Sequence, residues 1–411
     1  MDIDLGQPYR EFRQEIRTWI EQNAPEGLRE LANWGWQPVA GGRRGRGIVE
    51  AARDPIYREW STRLQQARLI CAQWPEEVGG RGWDGVRVAI FNEELRRHGV
   101  PAVRRGMGET LCGPAIIVHG TPEQKAYFLP RIVAGEDVYC QGYSEPDHGS
   151  DLGAVETRGV VDGEELIITG QKIWTSGARA ANMIFVLCRT DPEAPKHRGL
   201  SYVLVPFSEA NGVTIRPVRQ MTGAAEFYED FLDGARAPLF NVIGGLNNGW
   251  VPAMTTLGYE RGGNATTAHL GFEQELRELI DLAKTNGRSK DPVIRQRLAW
   301  CYTQVQLMRY AGLRLLSHLA EGRQPGPEAS ISKLLWSEYH KIFGEIAIDI
   351  VGPMAMVRPE GDGYMTDDWQ DIFLASRAGT IYSGTSEIQR NIIGERALGL
   401  PREPKAAGER I

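Results

Sequence analysis

The sequence predicts an α+β fold in which an N-terminal all-α domain, a small β-barrel or sandwich domain and a C-terminal four-helix bundle follow one another. Apolar residues recur three and four positions apart before Pro130 and again after Trp250, as they do on helices. Short apolar runs separated by turn residues lie between these two parts, as in strands. The 411-residue chain also exceeds the length at which one core usually divides into domains. We expect domains at 1–132, 133–244 and 245–398, followed by a tail at 399–411.

The first domain is predicted from two helical segments and the breaks between them. "YREFRQEIRTWIEQ" and "VAIFNEELRRHG" both space their apolar residues for one face of a helix. Pro75, Gly79 and Gly80 mark a break between segments. The basic run "GGRRGRG", Gly41 to Gly47, is interpreted as a solvated loop because no aromatic residues alternate with it.

The middle domain is predicted from four β-type runs, "ELIITG", "NMIFVLCR", "LSYVLVPF" and "GVTIRPVRQM". Turn signals at Asp162, Gly163 and at Asn211, Gly212 separate them. Several short strands with frequent turns are typical of a small barrel or sandwich.

The third domain is predicted from a regular apolar stripe. Its residues alternate steps of four and three, which is the seam of a helix packed almost parallel to its neighbours. The stripe consists of Ile294, Leu298, Cys301, Val305, Met308, Gly312, Leu315 and Leu319. The segments "NGRSKDP", "EGRQPGPE" and "VRPEGDGY" divide this part into four helices, the number in a four-helix bundle.

Charge and composition exclude several classes of partner. The net charge of -6 and the lack of a long Lys/Arg block argue against nucleic acid and anionic membranes. No uncharged run approaches the roughly 20 residues that span a bilayer, and the N-terminus does not resemble a signal peptide, so we expect a cytoplasmic protein. The five cysteines include no CxxC pair and are interpreted as buried reduced thiols. The seven histidines show no metal-ligand spacing, so we expect no metal site.

Two polar loops of the middle domain are candidate ligand sites. "CQGYSEPDHGSDLGAVETRG" surrounds a Ser-Glu-Pro turn with glycines and hydroxyl groups, and on composition alone it also fits an ordinary surface turn. In "GQKIWTSGARA", Trp174 is followed by Thr175, Ser176 and Gly177. An indole beside small donors can cover a planar aromatic ligand, although such a tryptophan is also common at domain interfaces.

Taken together, the motifs "YSEPDHGSD", "KIWTSGA" and "YSGTSEIQRNIIGERALG" resemble the acyl-CoA dehydrogenase family of flavoproteins in identity, order and spacing. "WPEEVGGRG" and "HGTPEQKAYFLPRI" extend the resemblance to the first domain, and so to nearly the whole chain. The resemblance implies FAD bound between the β domain and the bundle, with an acyl thioester stacked on its ring. It also implies a role in fatty acid or lipid metabolism.

The resemblance assigns roles to residues at matching positions. The implied cofactor contacts are Tyr143 and Ser144 at the pyrimidine edge, Trp174 over the ring with Thr175 beside it, Ser176 towards N5, and Thr385 and Ser386 at the adenosine portion. Arg288 matches an arginine that reaches the FAD diphosphate of a neighbouring subunit, which implies a homo-tetramer. The implied substrate contacts are Ser150, Arg261, Ser383 and Gly384. This chain departs from the family at Asp349, Gly352 and Pro353, where the family has a glutamine and paired glycines near the adenine.

The expected catalytic base is Glu260. Much of the family has a glutamate where this chain has Ser383, and a serine hydroxyl without a neighbouring base is a poor proton acceptor near neutral pH. Another branch, which includes isovaleryl and long-chain enzymes, carries its glutamate beside an arginine on the first bundle helix. "TLGYERGGN" places Glu260 and Arg261 there. An exposed glutamate in a weak helix ion pair is the alternative interpretation.

The resemblance thus implies FAD-dependent α,β-dehydrogenation of an acyl-CoA to the 2-enoyl-CoA. Glu260 would remove the α proton, the β hydride would pass to flavin N5, and the electrons would leave to an electron-transfer flavoprotein. Two alternatives stay open at this point. One is a non-catalytic or half-site subunit in a hetero-oligomer with a related chain. The other is an oxygen-using oxidase or monooxygenase of the same fold.

Overall fold

The computed structural model describes residues 6–29, 54–103, 105–262, 266–321, 326–327, 329–357 and 368–402, with the backbone alone at 260–262. No helix in these ranges is both long enough and apolar enough to span a bilayer.

In the described residues before the first strand, the α-helices are α1 (Gln7–Asn23), α2 (Pro55–Gln66), α3 (Gly85–Arg97), α4 (Gly113–His119) and α5 (Pro122–Ala134). Side-chain caps fix where three of them begin. Asp54 and Asp84 accept hydrogen bonds from the first-turn amides of α2 and α3, and Thr121 forms a capping box with Gln124 on α5. The apolar faces of α1, α2 and α3 share one core, centred on the fully buried Trp60.

The middle of the chain forms one eight-stranded sheet. Its strands are β1 (Tyr139–Gly142), β2 (Arg158–Asp162), β3 (Glu165–Ser176), β4 (Met183–Arg189), β5 (Leu200–Pro206), β6 (Val213–Val218), β7 (Phe227–Pro238) and β8 (Val242–Ile243). Seven follow the order β6-β7-β3-β2-β4-β5-β8, and β1 pairs with β4 in parallel.

The central strands of the sheet are buried on both faces. On β4, Phe185 and Leu187 pack into a core shared with α4 and α5, whereas Ile184 and Val186 pack into a second core with β3 and β7. This two-sided burial explains why β4 is a continuous apolar run in the sequence. It also attaches the sheet firmly to the first helical domain.

After the sheet, the described part of the chain contains the α-helices α6 (Trp250–Gly262), α7 (His269–Thr285), α8 (Pro292–Ala320), α9 (Ala329–Val351), α10 (Asp368–Gly379) and α11 (Ser386–Ile392). Helices α7 to α10 share one core that includes Phe272, Leu298, Phe343 and Ile372. Seven of the eight residues in the predicted stripe of α8 are buried, and Leu319 at its end is partly buried.

The predicted fold class is therefore confirmed: helices, then a β domain, then a helical bundle. The β domain is a single sheet with β6 and β8 at its two ends. All five cysteines are buried free thiols, as predicted.

Candidate active site

Trp174 presents an exposed indole at the end of β3. The register between β3 and β7 shifts between Lys172 and Thr175, and Trp174 takes a left-handed backbone conformation with φ of 65°. Such a bulge redirects a side chain out of the sheet. The indole is 55% exposed, and one edge meets the ring of Phe227 at a centroid distance of 6.2 Å. It offers a flat apolar surface, with the half-buried Ser176 two residues further along.

The Ser-Glu-Pro loop lies directly beside this tryptophan. The Ser144 carbonyl accepts a hydrogen bond of 2.9 Å from the Ile173 amide. Tyr143 is buried, with its ring packed edge-on against Phe185 and Tyr202. The structure thus joins the Ser144 backbone to the residue before Trp174, and the cofactor contacts of Tyr143, Ser144 and Trp174 stay predictions.

A buried lysine fixes this arrangement, and the sequence interpretation missed it. The Lys172 side chain is 0% exposed, and its Nζ donates to the carbonyls of Tyr143 at 3.1 Å and Leu187 at 2.8 Å and to Glu145 Oε1 at 2.8 Å. All three N–H bonds of the ammonium are therefore used. Lys172 lies on the same inward-facing side of β3 as Leu166 and Ile168, and this alternation in the sequence could have revealed it.

Glu145 closes the loop from the other side. Its carboxylate accepts from the backbone amides of Glu156 at 2.7 Å and Thr157 at 2.8 Å. Burial opposes ionisation, but the Lys172 charge and these amides together lower the pKa of Glu145. Ser150, the predicted substrate contact, is exposed within the segment that Glu145 closes.

Thr175 does not contribute its side chain to this surface, contrary to the prediction. The residue is fully buried, and its hydroxyl donates to Asp230 Oδ2 on β7. The side chain of a strand residue next to an outward tryptophan points to the opposite face, so only the Thr175 backbone can contact a ligand there. The sequence interpretation also missed Asp230, although it lies two residues before the buried Leu232 and so on the same face of β7.

The seam between α10 and α11 has an unusual backbone. Ser383 and Gly384 both have positive φ, of 55° and 84°. The Gln389 amide group donates to their carbonyls at 3.0 and 3.4 Å. Within the described chain, no group accepts a hydrogen bond from the Gly384 amide. The seam is thus a fixed piece of backbone with a donor left for a ligand.

The hydroxyl groups that follow the seam hold α11 in place. Thr385 caps the helix by accepting from the Ile388 amide at 3.2 Å. Ser386 is buried and donates to Glu338 of α9 at 2.7 Å, so its hydroxyl points into the bundle rather than outward. The predicted cofactor contact of Ser386 must therefore come from its backbone.

Tyr382 adds a buried hydroxyl next to the seam. Within the described chain its Oη has no hydrogen-bond partner, and burial raises its pKa. A buried polar group of this kind usually has a partner in the functional state. A ligand bound at the seam would be one such partner.

Helix α6 carries Glu260, the predicted base. Its backbone is helical, and the side chains of Glu260 and Arg261 lie outside the described residues. Thr255 fixes the helix to α4 through a 2.7 Å hydrogen bond with His119 Nε2. Among the described residues, no atom lies within 4 Å of the position that a methyl group at Gly258 would take.

Arg288 lies at the other end of the bundle. Its guanidinium donates to the Asp349 carbonyl at 3.3 Å, and the Asp349 carboxylate pairs with Arg297. Asp349 and Glu338 are eleven residues apart on α9, or about 16 Å at 1.5 Å per residue. The structure therefore does not bring Arg288 together with Ser386 within one chain.

Comparisons with known proteins agree with this architecture. Models of the acyl-CoA dehydrogenase N-terminal, middle and C-terminal domains match residues 43–136, 140–229 and 247–398. The chain is 42% identical to the acyl-CoA dehydrogenase IpdE1 of Mycobacterium tuberculosis over 399 residues, which cover 97% of this chain and all of that protein.

Two solved structures are similar over nearly the full length. The Tcur3481-Tcur3483 steroid ACAD matches with a TM-score of 0.78 at 29% identity, covering 98% of this chain and 100% of that one. The ChsE4-ChsE5 complex from Mycobacterium tuberculosis matches with a TM-score of 0.75 at 28% identity and the same coverage.

The fold and the site define an oxidoreductase that acts on the CH–CH group of acyl thioesters. The chain belongs to the acyl-CoA dehydrogenase family. Members of this family are flavoproteins, and this identification favours the dehydrogenase among the functions that the sequence left open.

Proposed function

We propose that the protein oxidises an acyl-CoA to the 2-enoyl-CoA, with FAD as the cofactor and Glu260 as the base. The observation that carries the proposal is the outward indole of Trp174 beside the Ser144 backbone, both held by buried hydrogen bonds. A rigid aromatic surface next to fixed backbone groups suits a flat, hydrogen-bonding ring system.

The residues present fit the cofactor. Trp174 would cover one side of the ring, the backbone of Tyr143 and Ser144 would line its edge, and Ser176 would reach towards N5. Bound FAD would supply the acceptor for the hydride that leaves the β carbon. Arg288 is 44% exposed and lies about 16 Å along α9 from the seam. This distance favours a contact with the diphosphate of a neighbouring subunit's FAD.

The protein's own part in the chemistry is to remove the α proton and to stabilise the charge that results. The Gly384 amide would donate to the thioester oxygen as negative charge develops there. The hydrogen bonds from Gln389 fix this backbone in advance, so little reorganisation accompanies the reaction. Ser383 replaces the glutamate of other family members, so Glu260 on α6 would take the proton, beside Arg261. Ser150 would contact the substrate from the middle domain.

We further propose a bulky acyl group as the substrate. The Tcur3481-Tcur3483 neighbour is described as a steroid ACAD. This likeness favours a polycyclic, steroid-type acyl-CoA over a short linear one. Electrons would then pass to an electron-transfer flavoprotein.

A second candidate is a chain that completes the site only with a related partner. Both solved neighbours carry the names of two chains. In this chain Asp349 replaces a family residue near the adenine, and its carboxylate is paired with Arg297 within the chain. A homo-tetramer should therefore bind flavin when purified alone, whereas a subunit of a hetero-oligomer should bind it only with its related partner.

The test starts with the visible absorption spectrum of the protein purified alone, followed by anaerobic addition of short-chain, branched and steroid-type acyl-CoAs. Bound flavin that bleaches with the steroid-type ligand would support the main proposal. A colourless protein that gains flavin only with a related second chain would favour the second candidate.

Glu260→Gln should keep the flavin spectrum but slow bleaching about 1,000-fold, within the usual range for loss of a general base. Glu273→Gln, an exchange on the neighbouring helix α7, is the matched control and should bleach normally. Unchanged bleaching by Glu260→Gln would show that the base lies elsewhere.

A further inference from the structure

Asp230 is a buried carboxyl group directly behind the Trp174–Ser176 segment. It is 0% exposed and lies opposite Lys172 in the pairing of β7 with β3. One oxygen, Oδ2, accepts from the Thr175 hydroxyl, and Oδ1 has no hydrogen-bond partner within the described chain. Asp230 therefore contacts Thr175, the residue that directly follows Trp174.

Among the described residues, no cation forms with Asp230 the direct ion pair that a buried carboxylate normally requires. The nearest cation is Lys172, but its ammonium uses its three N–H bonds on Tyr143, Leu187 and Glu145. Burial therefore raises the pKa of Asp230 to about 7, and the Thr175 hydroxyl and the Lys172 charge only partly oppose this rise. The carboxyl is neutral in mild acid and charged in mild base.

Three other ionisable groups lie near Asp230. Burial lowers the pKa of the Lys172 ammonium, and the charge of Glu145 partly opposes this shift. The Cys140 thiol of β1 has a pKa raised well above its ordinary value by burial. Glu145 lies behind Lys172 and has a lowered pKa, since the Lys172 charge and backbone amides outweigh its burial. On the other side of β7, the residue paired with Asp230 is the apolar Ile215 of β6. The Asp230→Asn exchange removes the Asp230 carboxyl and leaves these three groups in place.

We propose that Asp230 is a positioning residue of the flavin site. It holds Thr175 inward so that Trp174 faces outward, and its charge adjusts the electron affinity of the bound ring. This inference rests on the proposed function, because it requires a flavin against Trp174.

The buried charge of Asp230 is poorly screened inside the protein. An electron-accepting ring gains negative charge on reduction, and a fixed negative charge behind it opposes that gain. Proton binding by Asp230 removes the opposition, so reduction and protonation favour each other. The flavin midpoint potential should therefore fall more steeply with pH around pH 7 than the flavin alone requires.

The first experiment measures the midpoint potential of the purified holoprotein from about pH 5.5 to 8.5. The wild type should show an extra break near pH 7. Asp230→Asn, which is nearly isosteric and neutral, should lose the break. Thr175→Val should move the break to higher pH, because it removes a hydrogen bond that favours the carboxylate. Asp233→Asn, an exposed aspartate on the same strand, should leave it unchanged.

The second experiment does not need flavin. In the protein stripped of cofactor, Trp174 fluorescence, assigned by its loss in Trp174→Phe, should change near pH 7 in the wild type and not in Asp230→Asn. If the extra break in the midpoint potential near pH 7 persists in Asp230→Asn, the proposal is overturned. If that variant fails to fold, a break that stays in place in Thr175→Val would overturn it too.

The two experiments separate this inference from the proposed function. A fluorescence change near pH 7 in a protein that never binds FAD would refute the flavin site but support the role of Asp230 in positioning Trp174. Normal bleaching by acyl-CoA without any extra break would support the flavin site and refute the role of Asp230.

Discussion

The buried pair of Lys172 and Glu145 should be the most sensitive point of the middle domain. Lys172→Met keeps most of the side-chain volume but removes the ammonium, which makes three hydrogen bonds of 2.8 to 3.1 Å. Removing one partner of a buried ion pair costs about 3–5 kcal/mol. Glu145 keeps two backbone donors, at 2.7 and 2.8 Å, so we expect about 3 kcal/mol, the lower end of that range.

Urea unfolding followed by circular dichroism and tryptophan fluorescence at pH 7 measures this loss. Lys196→Met is the matched control, since Lys196 forms an exposed pair with Asp151 and should cost less than about 1 kcal/mol. The double variant Lys172→Met with Glu145→Gln should recover part of the loss, because no unpaired charge remains buried. A cost below about 1 kcal/mol for Lys172→Met would refute the reasoning.

The stability loss caused by Lys172→Met should depend on pH with a definite sign. The pKa of Glu145 is lowered in the folded wild type, so its contribution to stability is present above the ordinary pKa of a glutamate and is lost as the pH falls through the lowered value. In Lys172→Met, Glu145 loses its cation and its pKa should rise. The difference in stability between variant and wild type should therefore shrink on acidification from pH 7.

Two further substitutions test the seam. Gly384→Ala should lower the free energy of unfolding by about 1–2 kcal/mol and reduce bleaching by acyl-CoA. The reason is that φ at Gly384 is 84° and the new methyl group would lie 2.6 Å from Gln389 Nε2. Gly99→Ala, at a position with positive φ but open space, should cost less stability and leave bleaching intact. Ser386→Ala should lower the thermal stability by about 1–2 kcal/mol through loss of the bond to Glu338, and unchanged melting would show that this bond contributes nothing.

The sequence predicted the fold well because periodicity reports burial directly. The stripe from Ile294 to Leu315 is the buried face of α8, and the continuous apolar run of β4 is buried on both sides. Periodicity does not report pairing order, so the position of β1 beside β4 in parallel could not be predicted. The choice between a barrel and a sandwich was likewise open until the sheet was seen.

The site residues were placed by motif, and their roles at a cofactor stay predictions. The structure puts the Ser144 carbonyl in a hydrogen bond with Ile173, next to Trp174. Thr175, which the motif also assigned to the cofactor, has its hydroxyl facing the core. The bulge between Lys172 and Thr175 breaks the strand alternation, so Trp174 faces outward although it has the same parity as the buried Lys172. Before the bulge, alternation with the buried Leu166 and Ile168 would have pointed to Lys172.

The five buried thiols have a practical consequence for experiments on this protein. Burial raises the pKa of each, to about 12 for Cys188 and Cys301, so the reactive thiolate is scarce while the chain is folded. Alkylating reagents should label a cysteine only when its surroundings open. Cys71 and Cys112 lie among the first helices, Cys140 and Cys188 in the sheet, and Cys301 in the bundle. Each of the three parts of the protein therefore contains its own natural probe of local opening.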